Sequence, residues 1–140
     1  MKVALAVDGS SCSLRATRFL IELLGRPEGT EVHVLNVQHP VPYVDLLPVE
    51  KQQLVEHWNR QSGNDETAAA REMLAAANVS CHLHVVVGDP ATAIVKLARE
   101  LGCDLIVMGT RGMSAVAGLA LGSVVAKVIH LADTPVTLVK

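Results

Sequence analysis

The sequence predicts an α/β domain, a mostly parallel sheet held between two helical layers. Short apolar runs alternate with segments of helical periodicity along all 140 residues, the pattern of right-handed βαβ crossovers. Turn and helix-start residues stand at the junctions between them. Half of the residues are hydrophobic and 19% are charged, which suits a globular chain with one substantial core rather than a disordered one.

The elements follow in order. KVALAV (2–7) is a short branched run that stops at Asp8-Gly9-Ser10, a turn and helix-start signal. Ala16, Phe19, Leu20, Leu23 and Leu24 then fall on one face of a first helix, closed by Gly25, Pro27 and Gly29. EVHVLNV (31–37) is the second strand. The segment QHPVPYVDLLP is too rich in proline to be regular over much of its length. A second helix runs from about Val49 to Ala77, with Ala70, Met73, Leu74 and Ala77 on its buried face and Ser62-Gly63-Asn64 marking a break in it. VSCHLHVVVG (79–88) is the third strand. Asp89-Pro90 opens a third helix, with Ala91, Ile94, Val95, Ala98 and Leu101 inward and Gly102 at its end. DLIVMG (104–109) is continuously apolar, as a strand covered on both faces is. After a glycine-bearing loop, Val125, Val128, Ile129 and Ala132 define a fourth helix, and PVTLV (135–139) the last strand. No repeat or composition shift divides the chain, so residues 1–140 read as a single domain.

Composition excludes several function classes. Phe19, Tyr43 and Trp58 are the only aromatics, too few to stack bases of a single-stranded nucleic acid. The net charge of -2 and the scattered Lys and Arg give no basic stripe for a duplex. No apolar run reaches the roughly 18–20 residues of a membrane span, and MKVALAV has no signal-peptide layout. Cys12, Cys81 and Cys103 lie far apart without a CxxC pair, which suggests reduced thiols in a cytoplasm.

In a sheet of this kind ligands bind beyond the C-terminal strand ends, where the strand order reverses. That rule selects Asp8-Gly9-Ser10, Val37-Gln38 and the stretch from Gly109 onward. GTRGMSAVAGLALGS (109–123) carries Gly109, Gly112, Gly118 and Gly122 with a single cation, Arg111, inside the loop. Glycine lets backbone N–H groups converge on an anion, and a helix N-terminus adds free amides and a positive dipole end. Ser123 can cap the fourth helix or donate to a phosphate. The bland alternative stays open here: a flexible loop and a helix cap, with Ser123 only capping. Neither GxGxxG after the first strand nor GxxxxGK[ST] occurs.

Gly109-x2-Gly112-x9-Gly122-Ser123, between DLIVMG and SVVAKVIHLADTPVTLV, resembles the nucleotide-binding motif of the universal stress protein family. The likeness covers almost the whole chain, including VALAVDGS, GDPATAIVKLARELGCDLIVMGTRG and TPVTLV. The resemblance implies a three-layer sandwich of the adenine nucleotide alpha hydrolase-like type, its five-stranded parallel sheet in the order 3-2-1-4-5. It implies ATP binding as well. Ala6, Val7 and Asp8 would lie beside the adenosine, Asp8 accepting from the ribose, with Val37 against adenine. Met108, Gly109, Arg111 and Gly112 would line the ribose and phosphates, and Gly122, Ser123 and Val124 would hold the phosphate tail. One departure is Val125, where ATP-binding relatives often carry a second hydroxyl. With Arg111 the sole cation in the loop, Mg²⁺ or Mn²⁺ would come with the phosphates, not through a protein metal site.

The leading expectation is a nucleotide-dependent stress-response module. No candidate base stands beside the loop and no lysine within it, so ATP hydrolysis is at most slow. A scaffold of the same family without nucleotide is the alternative, supported by Val125. A nucleotide-transforming enzyme of this fold lacks its SGGxDS-like and HxGH-like motifs. The short apolar strand 135–139 would be a sheet edge, and the resemblance implies a homodimer that pairs it. Several residues keep open readings. Asp8 could cap the first helix with Ser10, and Arg111 could be a solvated loop residue. His82 and His84 share a strand face with His33 beside them, which suggests either a metal site or the polar blunting of an edge strand. Cys12 near a helix start has no partner thiol for redox work. Tyr43 and Trp58 could cover a nucleotide or pack.

Overall fold

A computed structural model describes residues 1–25, 28–113 and 121–140. Pro27 and Gly118, singled out above, lie outside them. The elements are β1 (Lys2–Ala6), α1 (Ser11–Leu24), β2 (Glu31–Gln38), α2 (Val49–Ala76), β3 (Cys81–Val87), α3 (Pro90–Glu100), β4 (Leu105–Gly109), α4 (Ser123–Leu131) and β5 (Val136–Val139). The five strands form one parallel sheet in the order β3-β2-β1-β4-β5, as the resemblance implied. The proline-bearing segment between β2 and α2 holds only a short 3-10 turn, Val44–Leu46.

Strand alternation sorts the core into two layers. Val3 and Leu5 of β1 and Val7 just after it, with Val32 and Val34 of β2, pack with Ala16 and Leu20 of α1 and Ala70 and Leu74 of α2. Ala4, Leu35, Ile106 and Met108 point the other way, onto Ala91, Ile94, Val95 and Ala98 of α3 and Val125 and Val128 of α4. Each stripe read from helical periodicity meets the sheet through its central residues. Leu23 and Ile129, at the margins of their stripes, are exposed.

Local signals explain the helix ends. Ser10 caps α1, its Oγ accepting the Ser13 N–H at 3.2 Å. Asp89 caps α3 through the Thr92 N–H at 3.0 Å, with Pro90 in the first turn. One expectation is corrected. Ser62-Gly63-Asn64 does not break the second helix, which runs unbroken for 28 residues. Gly63 is there for space: a Cβ on it would stand 2.5 and 2.6 Å from the two Cγ atoms of Val85 and 3.0 Å from Asn36 Oδ1. The missing side chain lets α2 lie down on β2 and β3, a gain that outweighs the roughly 1 kcal/mol helical cost of glycine.

Candidate functional site

The C-terminal strand ends converge on a cavity of about 580 Å³, within the roughly 300–1,000 Å³ usual for small-ligand sites. It lies at the reversal of strand order, between β1 and β4. Ala6, Val7, Asp8, Val37, Met108, Gly109, Arg111, Gly112, Gly122, Ser123 and Val124 all line it. The structure therefore brings the eleven residues assigned through the family resemblance to one place.

Asp8 organises the floor. Its Oδ1 accepts the Ser10 N–H at 3.0 Å and its Oδ2 accepts the Met113 N–H at 3.0 Å. The carboxylate thus ties the exit of β1 to the exit of β4. Capping of α1 belongs to Ser10, so Asp8 is not that helix's cap. Gly112 is bare because Asp8 sits against it: a Cβ there would stand 2.6 Å from Oδ2. Gly109 is bare for a different neighbour, Cys12 of α1, whose Cβ, C and O would lie 2.7, 2.8 and 2.9 Å from an added Cβ. Arg111 is exposed, but at the cavity wall.

The mouth faces the start of α4. Gly122 is the N-cap residue, with no side-chain cap bond, and the helix begins at Ser123. The capping role considered for Ser123 is therefore not the one it plays; its exposed hydroxyl lies on the cavity wall. The first-turn amides of α4 have no intrahelical carbonyl to bind, and Gly122 to Val125, at that positive dipole end, line the cavity. Val125 is buried at 2% exposure in the core of that layer.

Sequence reasoning missed a polar wall opposite. Asn36, 1% exposed, donates from Nδ2 to the Val7 carbonyl at 2.9 Å and to Glu66 Oε2 at 2.7 Å. Gln38 Nε2 adds bonds to Asn36 Oδ1 at 2.8 Å and to Glu66 Oε2 at 3.1 Å. Glu66 and Gln38 line the cavity, and this network fixes both. Asp89, also on the wall, accepts from Lys127 Nζ at 2.9 Å and from the Thr92 hydroxyl at 2.7 Å. The Lys127 ammonium, then Thr92, hold its carboxyl well below the usual carboxylate range. The only sequence signal for Asn36 was an amide within the apolar run Val34-Leu35-Asn36-Val37.

Other candidates lie elsewhere. Tyr43 and Trp58 are 80% and 58% exposed and do not line the cavity, so they neither cover it nor pack in the core. Cys12 is buried and its sulfur accepts from Arg15 Nη2 at 2.8 Å. Among the described residues no group of three or more His, Cys, Asp or Glu side chains is arranged to hold a metal ion. No described helix is long and apolar enough to cross a membrane.

Comparison with known proteins agrees with the architecture. The family described as "Universal stress protein family" matches residues 1–140. The chain is 32% identical over 139 residues to universal stress protein MJ0531 of Methanocaldococcus jannaschii, covering 99% of this chain and 81% of that protein. The solved structure of MJ0577 from the same organism superposes with a TM-score of 0.84 at 25% identity, over 99% of this chain and 94% of that one. A universal stress protein crystallised in complex with cAMP gives a TM-score of 0.66 at 28% identity, over 99% and 95% of the two chains. Sequence match and shared strand order together place this chain in the universal stress protein family.

Proposed function

We propose that the protein binds an adenine nucleotide, ATP with Mg²⁺ or Mn²⁺, and acts as a nucleotide-dependent stress-response module. One observation carries this reading: the eleven residues meet around a cavity of about 580 Å³ that opens onto the start of α4. The related structure in complex with cAMP supports it, because cAMP shares its adenosine part with ATP. Asp8 retains lone pairs for the ribose hydroxyls beside the two amides it already holds. Val37 supplies the apolar wall for adenine, with Ala6 and Val7 beside the adenosine and Met108 at the ribose. Gly109, Arg111 and Gly112, then Gly122, Ser123 and Val124, face the phosphates.

A hard divalent ion fits only in part. Asp8, Glu66 and Asp89 are the carboxylates of the cavity wall, and no three ligands converge among the described residues. The ion would take most of its oxygens from phosphate and water. Asp89, held acidic by Lys127 and Thr92, is a weak base, and among the described residues no lysine lines the cavity to stabilise a γ-phosphate. Hydrolysis is therefore at most slow. The three free thiols fit a reducing cytoplasm.

The test is to denature freshly purified protein, identify any released nucleotide, and titrate the emptied protein with ATP and Mg²⁺ by calorimetry. Affinity in the micromolar range, on the order of -8 kcal/mol, is expected. Ser123→Ala should weaken it by about tenfold, the loss of one hydrogen bond to a charged group. No released nucleotide and no heat of binding would instead favour the nucleotide-free scaffold.

The proposal includes a homodimer through residues 135–139. The carbonyls of Pro135 and Val139 accept from Ile106 and Thr110, so Val136 and Leu138 turn their backbone groups to the outer edge of β5. Val136→Pro removes one outward N–H and spares the bonds to β4. Light scattering should then report a monomer with unchanged circular dichroism; an intact dimer would rule out this pairing.

A further inference from the structure

At the opposite end of the sheet from the cavity, β1, β2 and β3 carry a second cluster of titratable side chains. Alternation puts Lys2, Glu31 and His33 on the α3 and α4 side, with His82, in register with His33, and His84, in register with Leu35, on the same side. His33 is only 4% exposed. Its Nδ1 lies 3.0 Å from Nε2 of His84. The His82 ring stacks on it, with centroids 5.5 Å apart and planes at 29°. Glu31 Oε1 sits 3.0 Å from His33 Nε2 and 4.0 Å from His82 Nε2. The nearer contact is off the line of a hydrogen bond, and His33 Nε2 is a buried nitrogen without a partner.

Two imidazole nitrogens at 3.0 Å bond only when one carries the proton and the other a lone pair. The His33–His84 contact therefore holds one proton. A second would set N–H against N–H, and with the outer nitrogens protonated as well it would place two cations side by side, with a third ring stacked alongside. Little offsets that repulsion. Among the described residues Glu31 is the one carboxylate against the rings, and Lys2 Nζ already draws on it from β1 at 3.6 Å. Asp104 Oδ2 is engaged with the Lys2 amide at 2.7 Å. The charged groups of α3 pair elsewhere, Lys96 with Glu100 and Arg99 with Asp133. Burial, opposed in part by Glu31 and reinforced by His84, holds His33 below the ordinary histidine range. Burial and then His82 do the same to His84.

We propose that Glu31, His33, His82 and His84 form an acid-sensitive latch on the β3 edge, which ties the start of β3 to β2 while the imidazoles are uncharged and releases it when further protons enter. β3 is an edge strand, hydrogen-bonded to β2 alone. Loss of the His33–His84 bond and repulsion between the rings would act on its Cys81–His84 end, uncovering the edge of β2. The sign follows from proton linkage. His33 and His84 bind fewer protons in the fold than free histidines do, so the latch is intact above about pH 6.5. It weakens as the pH falls through that value toward the lowered folded values, and the loss is complete below them.

Hydrogen-exchange mass spectrometry on the full chain, corrected for intrinsic rates, tests this at about pH 7.5 and about pH 5.5, on either side of the histidine midpoint. Amides of Cys81–Val85 should lose protection about tenfold more than those of β4 on acidification. His84→Asn, which keeps polar atoms but cannot titrate, should reduce that excess to less than about threefold. His82→Asn, at an exposed position, should reduce it in part and serves if the first variant does not fold. An acid response equal in β3 and β4, or one unchanged by both variants, would overturn the proposal. So would a response that vanishes after dialysis against a chelator, because the cluster would then be a metal site.

Discussion

Replacing Asn36 by aspartate is expected to destabilise the fold by about 3–5 kcal/mol at neutral pH, the usual cost of an uncompensated buried charge. Two donor bonds disappear, to the Val7 carbonyl and to Glu66. In their place a carboxylate at 1% exposure faces a carbonyl oxygen and a second carboxylate. Against a typical total stability of roughly 5–15 kcal/mol, that loss is a large fraction of the whole. The penalty should depend on pH. The new carboxyl's pKa in the folded state lies above the ordinary value of about 3.9, so between those two values the folded protein binds more protons than the unfolded. The deficit relative to the parent therefore shrinks as the pH falls through the raised pKa and is full above it. Urea denaturation of the parent, Asn36→Asp and Asn36→Leu at two pH values separates the contributions. Leucine loses the donors without adding charge and should cost about 1–3 kcal/mol at both. Equal costs for the two variants at both pH values would show that Glu66 and the Val7 carbonyl do not sense the charge.

Much of this architecture was legible because the sheet is parallel and buried. Runs such as DLIVMG read as strands without tertiary knowledge, and punctuation by Gly9-Ser10 and Asp89-Pro90 set the helix starts to within a residue or two. The strand order was not legible from periodicity and came from the family resemblance. The features that escaped depend on neighbours distant in sequence. Gly63 reads as a break in a helix until Val85, on another strand, is seen to occupy the space a side chain would need. Asn36 and Glu66 are unremarkable polar residues in sequence, and only the crossing of α2 over β2 joins them with Gln38 into one wall. The cap of α4 moved by one residue, from Ser123 to Gly122. That small shift leaves the Ser123 hydroxyl at the cavity wall with no capping bond to make.

The glycines at the cavity should separate sharply on substitution, and Gly109→Ala should have the largest effect. Two of the three atoms nearest its added Cβ are backbone atoms of Cys12, at 2.8 and 2.9 Å, and backbone in a packed helix cannot turn aside. A cost at the upper end of the overpacking range, about 3 kcal/mol, is expected. Cys12→Gly in the same chain should not restore it, because that change removes only the Cβ contact. At Gly112 the obstacle is the Asp8 carboxylate at 2.6 Å, a side chain that can rotate away. Gly112→Ala should therefore cost about 1 kcal/mol of stability, near the net value of one hydrogen bond. On our functional reading it should also weaken ATP by more than tenfold, since Asp8 is pushed out of the geometry that receives the ribose. At Gly122 an added Cβ meets nothing closer than 3.5 Å. Alanine fits there and loses only the modest advantage of glycine as a cap, under about 1 kcal/mol. Thermal denaturation and ATP calorimetry on the three variants resolve these cases. If Gly109→Ala proved as stable as Gly122→Ala, the packing of α1 against the exit of β4 would have to be looser than this structure has it. If Gly112→Ala kept full affinity, Asp8 would not be the ribose acceptor.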